Sequence, residues 1–322
     1  MKILANDGIS QEGKKALTSA GYTVITDKVA QADLANVVNE QHIEMILVRS
    51  ATTVRKEVID QCPHLRLIGR GGVGMDNIDV DYARSKGISV INTPASSSQS
   101  VAELVMGHLF AGARSLQSSF KQMENGDFSS LKKQFSSGIE LRGKTLLIVG
   151  FGRIGQSLAA YALGCGMHVL AVSMESAEIV VSLGTIQGIG EIKVPIHVST
   201  NLHAELPKAD FISLHVPKQA NGDAVIGATE LSLMKKGAHI INAARGGVVD
   251  ELALIEALNN DHIRFAGLDV FENEPNPLPE LLSHSKIATT PHIGAATVEA
   301  QDRIGLELAD RIIQQFGIIS AN

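Results

Sequence analysis

Tryptophan is absent from this 322-residue chain, tyrosine occurs three times and cysteine twice. Cys62 and Cys165 are too few and too scattered for a disulfide framework or a CxxC metal site, so both read as reduced core residues. His42, His64, His197, His203, His239, His262 and His284 share no ligand spacing, and no metal is expected. Long apolar runs are missing as well. Nothing approaches a membrane span, and the apolar part of Met1-Lys2-Ile3-Leu4-Ala5-Asn6-Asp7 is too short for a signal peptide. A cytoplasmic protein with no membrane partner is therefore expected. There is no excess of positive charge either: the formal net charge is −6, which gives no electrostatic reason for a nucleic-acid partner. Any anion must be met by local groups.

What is present is a 44% apolar, 19% charged composition, ordinary for a globular protein, on a chain longer than one hydrophobic core usually serves. Two domains follow as the expectation. The chain is organised around Lys144 to Gly155, where an apolar run, Thr145 to Val149, enters Gly150-x-Gly152-x-x-Gly155. In such a loop the first glycine permits the tight turn, the second lets a pyrophosphate approach the backbone, and the third lets helix and strand pack closely. Ile154, Leu158, Ala159, Ala162 and Leu163 continue it as a helix-period stripe, whose opening amides would face phosphates.

Before this loop, short apolar runs (Ile3 to Ala5, Thr23 to Ile25, Met45 to Val48, Leu67 to Ile68, Ser89 to Ile91) alternate with helix-period segments, the pattern of a parallel sheet covered on both faces. Two of its loops carry arginine at a strand's carboxyl end: Val48-Arg49-Ser50-Ala51-Thr52 and Ile68-Gly69-Arg70-Gly71-Gly72-Val73-Gly74-Met75-Asp76-Asn77. Ligands bind at such ends. Asn92-Thr93-Pro94 and the following serines mark a crossing into a second domain. The helix beginning near Val101 is long and apolar enough to pack on a second subunit, so a homodimer is expected. After a polar excursion from Met123 to Gly138, strand and helix alternate again from Gly143, with Asp250 as the N-cap of a helix; residues 175–200 are assigned no elements. Thr297 to Phe316 reads as an amphipathic helix returning to the first domain. The expected domains are 1–96 plus 296–322 for substrate, and 97–295 for nucleotide.

Three polar residues of the last third stand at strand ends or in the loops after them: Arg245 before Gly246-Gly247, Glu274 in Gly267-Leu268-Asp269-Val270-Phe271-Glu272-Asn273-Glu274-Pro275, and His292 in Thr289-Thr290-Pro291-His292-Ile293-Gly294-Ala295. Singly each has an ordinary structural explanation; together they can form an acid–base pair beside a carboxylate clamp. The spacing of these motifs resembles the D-isomer-specific 2-hydroxyacid dehydrogenase family over essentially the whole chain. That resemblance implies an α/β fold of two doubly wound parallel-sheet domains, a Rossmann nucleotide domain inserted into a flavodoxin-like substrate domain. It also implies a mechanism: His292 takes the hydroxyl proton or returns it, Glu274 orients the ring, and Arg245 holds the substrate carboxylate with its planar fork.

For the cofactor, NAD with NADP not excluded, the resemblance implies contacts from Gly150, Gly152, Arg153, Ile154 and Gly155, and from Ser173 after the second strand. Further along they come from His215, Val216 and Pro217, from Ala243, Ala244 and Arg245, from Asp269, His292, Gly294 and Ala295, and from Val73. His215 would line the cleft through its backbone; Asp269 would face the nicotinamide amide or cap a turn. One departure matters. NAD-using relatives carry an acidic residue where this chain has Ser173, and Glu175 either takes over the ribose or is a solvated loop carboxylate.

The loops around Arg49 and Arg70 most resemble members that oxidise D-3-phosphoglycerate to 3-phosphohydroxypyruvate, the entry to serine synthesis. Arg49, Ser50, Arg70, Gly71 and Gly72, with Arg245 and His292, would bind this phosphorylated 2-hydroxy acid. Lys132 or Lys133 is a further candidate to reach the phosphate across a dimer interface. Reduction of glyoxylate, hydroxypyruvate or another 2-oxo acid is the alternative, and a dinucleotide-sensing, corepressor-like binding protein is the alternative of another class. Long relatives carry a C-terminal regulatory domain; with the chain ending at Asn322, no such domain and no serine inhibition through one are expected.

Overall fold

A computed structural model describes residues 1–319, the side chain of Ile186 apart; the end of the expected substrate domain, 320–322, lies outside the described residues. The chain divides into two compact units, Met1–Ser98 with the stretch from Ala295 onward, and Gln99–Gly294.

In the first unit, the apolar runs become β1 (Lys2–Ala5), β2 (Thr23–Ile25), β3 (Met45–Val48), β4 (Leu67–Arg70) and β5 (Ser89–Asn92). All pair in parallel in the order β2-β1-β3-β4-β5, the flavodoxin-like winding. The helices between them are α1 (Gln11–Ser19), α2 (Leu34–Glu40), α3 (Lys56–Gln61) and α4 (Val80–Ser85). Leu34, Val38, Ile59 and Ala83 of α2, α3 and α4 bury one face of the sheet. Leu17 of α1 covers the other together with Ile304, Leu308 and Ile312 of the last helix, Val298–Phe316. That helix meets α1 at backbone contact: a Cβ on Gly13 would lie 2.6 Å from the Gly305 carbonyl carbon, so neither position tolerates a side chain.

The second unit takes up α5 (Ser98–Arg114) from Gln99 and continues with α6 (Leu116–Met123) and α7 (Phe128–Gln134). Its strands are β6 (Thr145–Val149), β7 (His168–Val172), β8 (Ala177–Ile186), β9 (Gly190–Ser199), β10 (Phe211–Leu214), β11 (Ala238–Asn242), β12 (Ile263–Leu268) and β13 (Ile287–Thr289). Its other helices are α8 (Arg153–Gly164), α9 (Leu202–Glu205), α10 (Ala228–Leu233), α11 (Glu251–Asn259) and α12 (Pro279–Ser283); the helix Val298–Phe316 is α13. The sheet order is β13-β12-β11-β10-β6-β7-β9-β8. Its run from β9 through β7, β6, β10 and β11 to β12 is the dinucleotide-binding winding. Asp250 caps α11 as expected, its Oδ1 accepting from the Leu252 and Ala253 amides at 3.0 and 2.9 Å.

Residues 175–200, left without elements in the sequence reading, form an antiparallel hairpin in which β8 replaces the usual crossover helix between two parallel strands. Pro195 lies within β9 opposite Val180, and a proline argues against a central strand. It is tolerated because β9 pairs with β7 only at Val198 and Ser199, so at Pro195 β9 has a single neighbour, β8.

Candidate active site

The glycine-rich loop has the shape its sequence requires. Gly150 leaves β6 with φ +94°, and a Cβ there would lie 2.5 Å from the His215 carbonyl oxygen. A Cβ on Gly155 would lie 2.5 Å from the Gly150 carbonyl oxygen, which fixes α8 against β6. At Gly152 nothing lies within 4 Å of the added carbon. Gly152 is also the N-cap of α8 and offers no side-chain cap. The opening amides of α8, from Arg153 and Ile154 on, thus meet open space at the positive end of a helix dipole, a cradle that fits a dinucleotide pyrophosphate. The His215 carbonyl borders this loop, and Val216 packs beside it. The ring of His215 turns inward to Ser213 Oγ at 2.8 Å, and burial pushes its pKa down to about 4. At the end of β7, Ser173 donates its amide to the Ser199 carbonyl at 3.0 Å, tying the hairpin to the strand; Glu175 is exposed.

Arg245 follows β11 in a turn shaped by Asn242, whose Nδ2 donates to the Arg245 carbonyl at 2.9 Å and whose Oδ1 accepts from the Ala244 amide at 3.1 Å. Its Nη1 donates to the Ala244 carbonyl at 2.6 Å, with Ala243 next along the strand exit. A Cβ on Gly246 would lie 1.8 Å from the Phe271 carbonyl oxygen, so the arginine loop rests directly on the loop that carries Glu274. Glu274 Oε1 accepts from the Phe271 amide at 3.0 Å, and Oε2 meets His292 Nδ1 at 2.7 Å. Burial alone would raise the Glu274 pKa, but the bonds from His292 and Phe271 and the nearby Arg245 charge hold it below the ordinary value. A carboxylate so held keeps Nδ1 protonated and leaves Nε2 as the ring atom that can exchange a proton.

His292 has φ +53°, a left-handed conformation outside glycine that costs on the order of 1 kcal/mol. The cost is met by Asp269, at the end of β12 and 1% exposed. Its carboxylate accepts from the Ile293 amide (2.8 Å), the Gly294 amide (2.8 Å) and Thr290 Oγ1 (2.6 Å). Of the two roles expected for Asp269, turn capping is therefore the one its bonds describe.

In the first unit, Arg49 follows β3 and Arg70 ends β4, strands in register at Val48 and Arg70. Asp7 holds the Arg49 loop: its carboxylate accepts from the Arg49 amide (2.7 Å), the Thr52 amide (3.0 Å) and Thr52 Oγ1 (2.7 Å), and pairs with Lys28. Asn77 Nδ2 donates to the carbonyls of Arg49 and Thr52 at 2.7 and 2.6 Å. Ser50 is exposed on this loop. The Gly71 amide donates to Val48 and the Gly72 carbonyl accepts from Thr93, while the Arg70 guanidinium lies over the α-carbon of Gly72. Val73 and Ala295, expected at the cofactor, belong to this first unit. Lys132 and Lys133 are exposed in the last turn of α7.

Asp7, Asn77, Asn242 and Thr290 were not singled out from the sequence as supports. Their common signal is an Asn, Asp or Thr at a strand end or in the loop after it, where its side chain bonds backbone groups of the loops or, for Thr290, the Asp269 carboxylate. Glu251 is a further support, accepting from the Glu272 amide at 2.7 Å, its pKa raised by burial. Among the described residues no group of three or more potential metal ligands occurs, and no helix is long and apolar enough to cross a membrane.

Residues 106–294 match the NAD-binding domain of the D-isomer specific 2-hydroxyacid dehydrogenases. Over 316 residues the chain is 39% identical to D-3-phosphoglycerate dehydrogenase of Methanocaldococcus jannaschii, covering 97% of this chain but 57% of that relative. It is 38% identical to hydroxypyruvate reductase of Thermotoga maritima, covering 98% of this chain and 99% of that one. Among solved structures, the NADPH-dependent glyoxylate/hydroxypyruvate reductase of Sinorhizobium meliloti in complex with NADP and malonate superposes with a TM-score of 0.78 at 27% identity, over 98% of this chain and 94% of that one. With the nucleotide cradle, the winding of both sheets and these likenesses together, the chain belongs to the D-isomer specific 2-hydroxyacid dehydrogenase family.

Proposed function

We propose that the protein oxidises D-3-phosphoglycerate to 3-phosphohydroxypyruvate with NAD. The observation that carries the chemistry is the 2.7 Å contact between His292 Nδ1 and Glu274 Oε2, in a loop on which the Arg245 turn rests. A dinucleotide held by its pyrophosphate at the α8 cradle would supply, through its nicotinamide, hydride acceptance in oxidation and hydride donation in reduction. His292 Nε2 receives the substrate hydroxyl proton, Glu274 retains Nδ1–H and stabilises the resulting imidazolium, and Arg245 orients the carboxylate so that the hydroxyl meets the histidine. In the reductive direction the same imidazolium returns the proton.

Arg49 and Arg70, at the carboxyl ends of adjacent strands, support a substrate with a phosphate in a chain whose net charge is negative. A second reading, reduction of hydroxypyruvate or glyoxylate, is supported by the full-length similarity to the Thermotoga maritima reductase. For the cofactor, Ser173 removes the carboxylate that repels a 2′-phosphate, while no lysine or arginine stands in Ser173 to Ala177 to attract one; NAD is the proposed choice. Phe110 of α5, Phe120 and Met123 of α6 and Phe128 of α7 expose apolar side chains, which supports a homodimer as the working form.

Initial velocities with D-3-phosphoglycerate, D-glycerate, D-lactate and D-2-hydroxyglutarate, each with NAD and NADP, test the proposal. A strong preference for the phosphorylated acid with NAD is expected. Equal rates with the unphosphorylated acids would move the assignment to a general 2-oxo acid reductase.

A further inference from the structure

A buried histidine outside the proposed catalytic group is bonded into the support of His292. His108 lies on α5, 5% exposed, and its ring is flat against β12: a Cβ on Gly267 would lie 2.8 Å from both Cγ and Nδ1 of the imidazole. Only glycine at 267 leaves room for that ring. Nε2 of the same ring lies 3.2 Å from Thr290 Oγ1. The single hydroxyl proton of Thr290 is committed to Asp269 Oδ1 at 2.6 Å, so the hydroxyl can only accept from His108. Nε2 is therefore the protonated nitrogen of a neutral ring. Asp269, in turn, accepts the two amides that follow His292. A continuous chain of bonds thus runs from α5 to the left-handed backbone at His292, and each of its members sits within the second unit.

We propose that His108 is a positioning residue, which fixes the rotamer of Thr290, and through it Asp269, so that the His292 loop holds the geometry needed for proton transfer. The inference rests on the reading of His292 as the acid–base residue. Its substrate is that of the proposed function, and His108 touches neither substrate nor cofactor in it. The alternative role for a buried ring against a glycine is to fill space, and the two roles call for opposite substitutions.

His108→Phe keeps a flat ring on Gly267 and loses the donor; His108→Gln loses the ring and keeps an N–H donor. If the donor matters, turnover per folded enzyme falls about tenfold in His108→Phe, the scale of one lost hydrogen bond in a buried network, and His108→Gln recovers most of it. The substrate KM and the binding of NADH, read by the change in its own fluorescence on titration with the enzyme, stay as in the parent. In a Thr290→Val background, His108→Phe then adds no further loss, because its route to Asp269 is already cut. Full turnover in His108→Phe with a fall in His108→Gln, or losses that multiply with Thr290→Val, would overturn the proposal in favour of packing. His292→Ala is the control that separates the two levels. If it abolishes turnover while His108→Phe does not, only the positioning role fails; if it retains full turnover, the acid–base reading fails and the positioning role with it.

Discussion

Two loops, one in each unit, are built by the same device and differ in one respect. Asp7 follows β1 and Asp269 follows β12, and each carboxylate gathers two backbone amides and one threonine hydroxyl from a neighbouring loop. The loop so held carries Arg49 in one case and His292 in the other. Asp7 also has a cation, Lys28; although burial opposes its ionisation, Lys28, Thr52 and the Arg49 amide hold its pKa below the ordinary value. Asp269 is held by neutral donors. The pairing with Lys28 offsets the charge of Asp7 beneath the Arg49 loop. Under the proposed function, the loop held by Asp7 presents an arginine to the substrate and the loop held by Asp269 presents the acid–base histidine.

The proposed division of labour breaks most visibly at His292. His292→Ala should lower kcat by about 10²- to 10⁴-fold, the range for a lost general acid–base group, while NAD binding, measured calorimetrically, changes little. A variant with near-normal kcat would remove His292 from the chemistry and leave the contrast between the loops without functional content.

Acid should separate the two units. Burial pushes His239 of β11 and His215 down to about 4, whereas His42 and His64 of the first unit are exposed. A histidine depressed in the folded state binds fewer protons than in the unfolded chain between pH about 6.5 and about 4. Stability is then intact above that window and lost as pH falls through it. For fully buried His239, stacked on Phe211 at 4.6 Å, the loss amounts to about 3 kcal/mol by pH 4. Hydrogen exchange followed from pH 7 to pH 4.5 should show strands β10 to β12 losing protection before β1 to β5. Simultaneous loss in both units would mean that the histidines do not set acid sensitivity.

Exchanging the two aspartates sharpens the comparison further. Asp269→Ala leaves buried amides without partners, at about 1–3 kcal/mol each, in the loop that holds His292 in a left-handed turn. The expected result is a fall in kcat of roughly tenfold to a hundredfold. Asp7→Ala should act on substrate affinity, raising KM by roughly tenfold with kcat within about twofold. Steady-state kinetics of the two variants side by side decide the matter. If both depress kcat alike, the loops do not divide binding from chemistry.

Much of this was legible without coordinates, and the gaps have physical causes. The glycines at 150, 152 and 155, the two arginines at strand ends and the trio Arg245, Glu274 and His292 stand in motifs whose backbone demands or side-chain chemistry are written locally. The supports are not local: Asp7 reaches a loop 42 residues on, and His108 meets Thr290 at a separation of 182. A polar residue in an apolar helix stripe, as His108 is, carries no sign of which partner it finds. The β8–β9 hairpin was missed for another reason. Pro195 speaks against a strand, and only the short pairing of β9 with β7 makes it acceptable there.

The smallest effect expected is also the most selective. The Arg49 amide is fixed by Asp7 and its carbonyl by Asn77, so the backbone position of Arg49 survives loss of its side chain. Arg49→Ala should therefore leave the loop in place and remove only the guanidinium, which offers a phosphate up to two parallel charge-assisted bonds. KM for D-3-phosphoglycerate should rise about tenfold, the scale of one charged hydrogen bond, with KM for D-glycerate unchanged. Asp7→Ala displaces the same guanidinium by freeing the backbone beneath it, and should reproduce this selectivity less cleanly because Ser50 and Thr52 move as well. Should Arg49→Ala raise KM for both acids equally, the guanidinium reads the shared carboxylate. The phosphate would then have to be met by Arg70 alone or not at all, and the hydroxypyruvate reductase reading would gain what the phosphoglycerate reading loses.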